Sequence, residues 1–176
     1  MSYRIPIPPP RRAQPRRPRG FTLVEAALTM VIIGTGVLAM LQLLAAGTMS
    51  NGAATELTTA VNLANNVHEI ALALPFTCPA NPTSTTFKDT GGPANYTYVW
   101  DMNGDTYSPP LDIRRNSISG YSNWSQKVTI QSVDPQNLDA LRPNSVALPT
   151  ARLTVLIVHG TRTVYKATWL IAAPNT

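Results

Sequence analysis

Apolar positions follow three regimes along this chain. From Phe21 to Met49 (FTLVEAALTMVIIGTGVLAMLQLLAAGTM) they occupy every face a helix would present, and no Asp, Glu, Lys or Arg occurs between Ala26 and Thr55. About 20 predominantly apolar residues suffice for a helix to cross the hydrocarbon core of a bilayer, so this run is long enough. The core helix of a soluble protein carries an apolar stripe instead. Over residues 50–74 the pattern becomes such a stripe. Ala53, Leu57, Ala60, Val61, Ala64, Val67, Ala71 and Leu74 recur at spacings of three and four, with Thr, Asn and Glu69 largely between them. No proline separates the two regimes, so one helix is predicted from Phe21 to the stop at Pro75, roughly 80 Å at ~1.5 Å per residue. Asn51-Gly52 is its most easily bent point, and Gly34 and Gly36 are weak positions within the apolar half.

Beyond Pro75 the period falls to two. Residues 75–95, rich in Pro, Thr, Asn and Gly, read as a loop. Tyr96, Tyr98 and Trp100 alternate like a strand, as do Val128 and Ile130 within Gln126–Val133. Leu153–Val158 is a continuous β-prone run, His159-Gly160 offers a turn, and Tyr165, Ala167 and Trp169 alternate within Val164–Ile171. The last two runs predict a closing hairpin. A sheet of about four antiparallel strands has one face to bury, and the amphipathic half of the helix can cover it. The predicted fold class is therefore α+β. Its pieces are a leader at 1–20, an apolar helix at 21–49, an amphipathic continuation at 50–74 and a sheet domain at 75–176.

Charge changes the picture only once it is located. The formal net charge of +5 comes from 14 basic and 9 acidic residues. Arg4, Arg11, Arg12, Arg16, Arg17 and Arg19 all lie in the leader, which has no acid, so the remainder is close to neutral. A duplex binder needs its cations on the folded surface, so no nucleic-acid partner is expected. A Pro- and Arg-rich leader cannot pack a core, and its charge suits a cytoplasmic anchor beside a membrane-spanning helix. Cys78 is the one cysteine, which excludes an intrachain disulfide and Cys-rich metal sites, and reads as a small buried hydrophobe.

The junction Arg19-Gly20-Phe21-Thr22-Leu23-Val24-Glu25 carries the most information. An acid within an apolar helix costs ~2.5–3.5 kcal/mol at a bilayer centre and less near the interface, so Glu25 asks for a cationic partner. With its basic leader and following apolar segment, the stretch Gly20 to Glu25 resembles the type IV prepilin family. The resemblance covers residues 19–50 in motif and extends to residue 74 in helix length.

That resemblance implies a pilin-like fold and a structural role with no enzymatic activity and no cofactor. It implies cleavage between Gly20 and Phe21 by a prepilin peptidase, N-methylation of Phe21, and pairing of Glu25 with a neighbouring subunit's N-terminal amine during assembly. The implied partners are other pilin or pseudopilin subunits, the peptidase and an inner-membrane assembly platform. The implied location is the bacterial inner membrane, single-pass with a cytoplasmic N-terminus, and then a pilus or pseudopilus in the periplasm or at the cell surface. Many major pilins carry a mid-helix proline and a C-terminal disulfide. This chain has neither, and Val31–Gly47 looks closer to minor pilins of the PilV kind and to minor pseudopilins.

Other features carry less. Asp101, Asn103 and Asp105 echo the start of a calcium loop, but Thr106 and Asp112 stand where an EF-hand wants Gly and Glu. They are the weak metal candidates, and a turn between strands is the plainer reading. His68 and His159 have no ligand or nucleophile at useful spacing and read as solvated. Lys127 and Lys166, near Tyr and Trp residues, would be the material of a nucleic-acid stripe, which the near-neutral mature charge disfavours. The alternative function is an exported soluble binding protein or enzyme with residues 1–47 as a conventional signal peptide, Ala45-Ala46-Gly47 lying near the cut.

Overall fold

A computed structural model describes residues 20–78, 91–144 and 148–173. The leader and most of the predicted loop at 75–95 lie outside the described residues. The chain divides at Thr48/Met49 into two compact units. Helix α1 runs from Leu23 to Ala73, continuous through Gly34, Gly36 and Asn51-Gly52. In the first unit it is a bare helix: its large apolar side chains from Leu23 to Leu44 are 50–88% exposed. By length and composition it can cross a membrane.

The second unit packs the distal part of α1 against a five-stranded antiparallel sheet. The strands are β1 (Thr106–Tyr107), β2 (Trp124–Asp134), β3 (Asn137–Leu141), β4 (Thr150–His159) and β5 (Arg162–Ala172). Their order is β1-β2-β4-β5, with β3 pairing the far end of β2. The closing hairpin is β4–β5, turning at Gly160-Thr161. Gly160 takes φ +61°, the left-handed region that suits glycine. Period-two alternation sends Ala151, Leu153, Val155 and Ile157 inward, opposite Ile171, Trp169, Ala167 and Tyr165.

The helix buries the distal part of the predicted stripe, at Ala60, Ala64, Val67 and Ala71, and adds Leu63 and Ile70 to it. Ala53 and Leu57, by contrast, are exposed. Apolar burial on α1 begins only at Ala60. From there the helix meets both the sheet and the segment before β1, so the covered arc widens to take in Leu63 and Ile70.

The predicted strand through Tyr96, Tyr98 and Trp100 is instead an irregular segment ending in a 3₁₀ turn at Val99–Met102. The cause is Asp101. Its Oδ2, fully buried, accepts the backbone N–H of Thr97 (2.8 Å) and of Tyr98 (3.2 Å) and bends the chain. A strand would send alternate side chains away from the core; the turn buries Val99, Trp100 and Met102 together. Val99 N–H also donates to Pro75 O at 2.9 Å, tying this segment to the end of α1.

Gln126 joins three elements at the centre of the domain. It is fully buried on β2; its Oε1 accepts Leu111 N–H (2.7 Å), and its Nε2 donates to Leu63 O on α1 (2.8 Å) and Leu111 O (3.2 Å). Replacing it with Leu removes the acceptor for a buried N–H, a loss of about 1–3 kcal/mol. Gln126→Leu should lower the denaturant midpoint of the full chain in detergent, followed by tryptophan fluorescence. An unchanged midpoint would show that the bridge is dispensable.

Candidate functional site: the N-terminal junction

Gly20, Phe21 and Thr22 precede α1 in non-helical backbone, and all three are exposed. Space around Gly20 is open, with nothing within 4 Å of where a Cβ would stand. Phe21 is 74% exposed. Thr22 closes the helix start: its Oγ1 accepts Glu25 N–H at 3.3 Å and its carbonyl accepts Ala26 N–H at 3.1 Å. Thr22-Leu23-Val24-Glu25 thus has the spacing of a capping box, a helix-start signal carried by the sequence itself.

Glu25 lies in the first turn of α1 and is exposed. There its charge meets the positive end of the helix dipole, worth typically 0.3–1 kcal/mol. Among the described residues no cationic side chain pairs with its carboxylate. It lies four residues after Phe21, so the residues named for cleavage, methylation and assembly all fall at one exposed helix end.

The calcium-loop residues are occupied by the fold. Asp101 caps Thr97 and Tyr98, Asn103 Oδ1 accepts Ile130 N–H at 2.8 Å, and Asp105 hydrogen-bonds the Tyr96 hydroxyl. Tyr96 in turn lies 3.0 Å from the Tyr107 hydroxyl, and burial together with Asp105 pushes the Tyr96 phenol well above its ordinary value. Among the described residues no group of three or more His, Cys, Asp or Glu is placed to hold a metal ion.

Both histidines depart from the solvated reading. His68 on α1 stacks on Trp169 at 4.5 Å, and His159 stacks on Trp124 at 4.3 Å while its Nδ1 meets Glu56 at 2.8 Å. Nothing local in the sequence signals these pairs. Cys78 is half-buried at the edge of the core. Lys127 and Lys166 flank Leu156 in register across β2, β4 and β5 and are exposed, whereas Tyr165 and Trp169 pack on the opposite, core-facing side. The strand period therefore separates the lysines from these aromatic rings.

No curated protein and no solved structure matches this chain. Residues 15–41 match the family model described as the prokaryotic N-terminal methylation motif, which spans the junction from leader to apolar helix and supports a type IV prepilin-like protein.

Proposed function

We infer that this chain is a structural subunit, of the minor kind, of a type IV pilus or a type II secretion pseudopilus. The observation that carries the reading is the methylation motif over residues 15–41, centred on a helix start whose preceding peptide bond is exposed and non-helical. A peptidase needs reachable backbone that is not locked in a helix, and the Gly20–Phe21 bond is exposed and non-helical. Glycine at position 20 leaves the peptidase cleft unobstructed. Cleavage there gives Phe21 a cationic amine, which is N-methylated and keeps its charge.

That amine lies next to the unsatisfied N–H groups of the first helical turn, where positive charge is unfavourable and a carboxylate is favoured. Glu25 supplies a carboxylate of this kind, offered to the amine of an adjoining subunit. The apolar side chains from Leu23 to Leu44 anchor the subunit in the inner membrane and are then reburied among other subunits' helices. Other subunits, the peptidase and the assembly platform are the partners this route requires. The basic leader holds the N-terminus in the cytoplasm.

Mass spectrometry of the protein from its native membrane tests the reading. The expected product begins with N-methylated Phe21. A mature start just after Gly47 would make the chain an ordinary exported protein, and an intact Met1 in cells with active peptidase would leave a simple anchor. Gly20→Val should block cleavage and accumulate full-length precursor, visible as a slower band on immunoblots. Normal processing of this variant would remove the proposed cut site.

A further inference from the structure

The stretch Met49–Thr59 of α1 lies before the start of the buried arc. Only Glu56 and Thr59 are half-buried there; the other side chains are exposed. The Thr55 and Thr58 hydroxyls donate to carbonyls of their own helix. Among the described residues of this stretch, Glu56 alone hydrogen-bonds to the sheet. Its carboxylate accepts from His159 Nδ1–H at 2.8 Å and from the Arg162 guanidinium, 103 and 106 residues away in sequence.

The His159 donor is held in place without Glu56, and the backbone of Arg162 is fixed beside it. His159 and Arg162 are partners across the end of the β4–β5 hairpin. Gly160 N–H donates to Asn123 O at 2.7 Å, which fixes the turn. The His159 ring lies on Trp124 with 8° between planes, and Trp124 is its register partner on β2. The carboxylate on the helix therefore docks against a pre-set imidazole, and the Arg162 side chain closes on it from the next strand.

We propose that Glu56, His159 and Arg162 form a conformational latch that clamps the helical turns of Met49–Thr59 to the hairpin end, and whose release frees those turns while the core from Ala60 onward stays folded. Local opening is governed by how much buried contact a segment has, and this segment has almost none apart from the latch. Ser50-Asn51-Gly52 within it are poor helix formers, so the released turns unwind readily.

Acid is the trigger. The groups facing Glu56 are His159 from β4 and Arg162 from β5, and no charged residue of α1 stands within one turn of it. Hydrogen bonds from His159 first, then Arg162, hold the Glu56 carboxyl below the usual carboxylate range. The latch is therefore engaged above that range and weakens as the pH falls through the lowered value. This inference concerns the folded subunit alone and stands whether or not it assembles into a fibre.

Hydrogen exchange of the full chain in detergent micelles tests it. At pH 7, Glu56→Gln should speed exchange of the amides of 53–59 about tenfold and leave those of 63–71 unchanged. After correction for intrinsic rates, acidification towards pH ~3 should speed the same amides in the parent protein but not further in the variant. Unchanged exchange at 53–59 in Glu56→Gln would overturn the latch. So would an equal acceleration across 63–71, which would make Glu56 a support of the whole domain. Equal acid acceleration in parent and variant would remove the carboxylate as trigger.

Discussion

Glu25→Ala is expected to be cleaved and methylated normally yet to fall out of the fibre by about two to three orders of magnitude. In the proposed fibre, its loss would leave a neighbour's N-terminal amine inside an apolar helix bundle without a counter-charge. Breaking a buried pair from one side costs about 3–5 kcal/mol, and each ~1.4 kcal/mol is a factor of ten in equilibrium. Glu25 also has a plainer role as the acid in the first turn of α1. That role is worth at most ~1 kcal/mol, or roughly fivefold. Magnitude therefore separates the two roles. The fraction of mature subunit in sheared fibres against membranes, measured by quantitative mass spectrometry, reads it directly. A loss below fivefold would assign Glu25 to the helix end alone. Glu25→Gln, which keeps an acceptor and the side-chain length, should lie nearer to Ala than to the parent if charge is what the amine requires.

Trp100→Ala should have the largest effect on the sheet domain. Trp100 is fully buried, meets Phe76 edge-on at 5.8 Å, and sits in the 3₁₀ turn that Asp101 holds in place. Truncating a buried tryptophan costs about 3–5 kcal/mol through lost burial and the cavity left behind. A domain stable by only 5–15 kcal/mol loses a large share of its margin. The variant should show a strongly lowered denaturation midpoint and rapid proteolysis of the sheet domain, while the apolar helix remains membrane-bound. Trp169, half-buried at the core edge, provides the contrast: Trp169→Phe should cost far less. A Trp100→Ala midpoint within the range of Trp169→Phe would mean that the 3₁₀ segment does not anchor the core.

The junction was legible because its signals are covalent neighbours. A basic leader, a small residue, an acid and an uninterrupted apolar run stand side by side, and the matched motif covers that same stretch. The capping role of Thr22 is equally legible from Thr22-x-x-Glu25, because both partners lie within one turn of the helix start. The segment around Trp100, by contrast, misled. Alternating aromatics satisfy the strand pattern, but a carboxylate three residues beyond Tyr98 outbids the ladder by offering local acceptors to the backbone.

By itself the sequence determined where α1 runs, that its first half is apolar on every face, and that the chain ends in a β-hairpin. These follow from hydrogen bonds and periodicities a few residues long, or, for the hairpin, from two strands adjacent in sequence. Only the tertiary structure decided which arc of the helix is buried, with Leu63 and Ile70 inside and Leu57 outside. It also decided that Gln126 bridges to a carbonyl 63 residues away and that His159 and Arg162 meet Glu56 more than 100 residues away. A periodic pattern says that a face exists but not what will cover it. Which side chains meet depends on the shape and donors of a partner surface assembled from distant segments, and no local spacing encodes that surface.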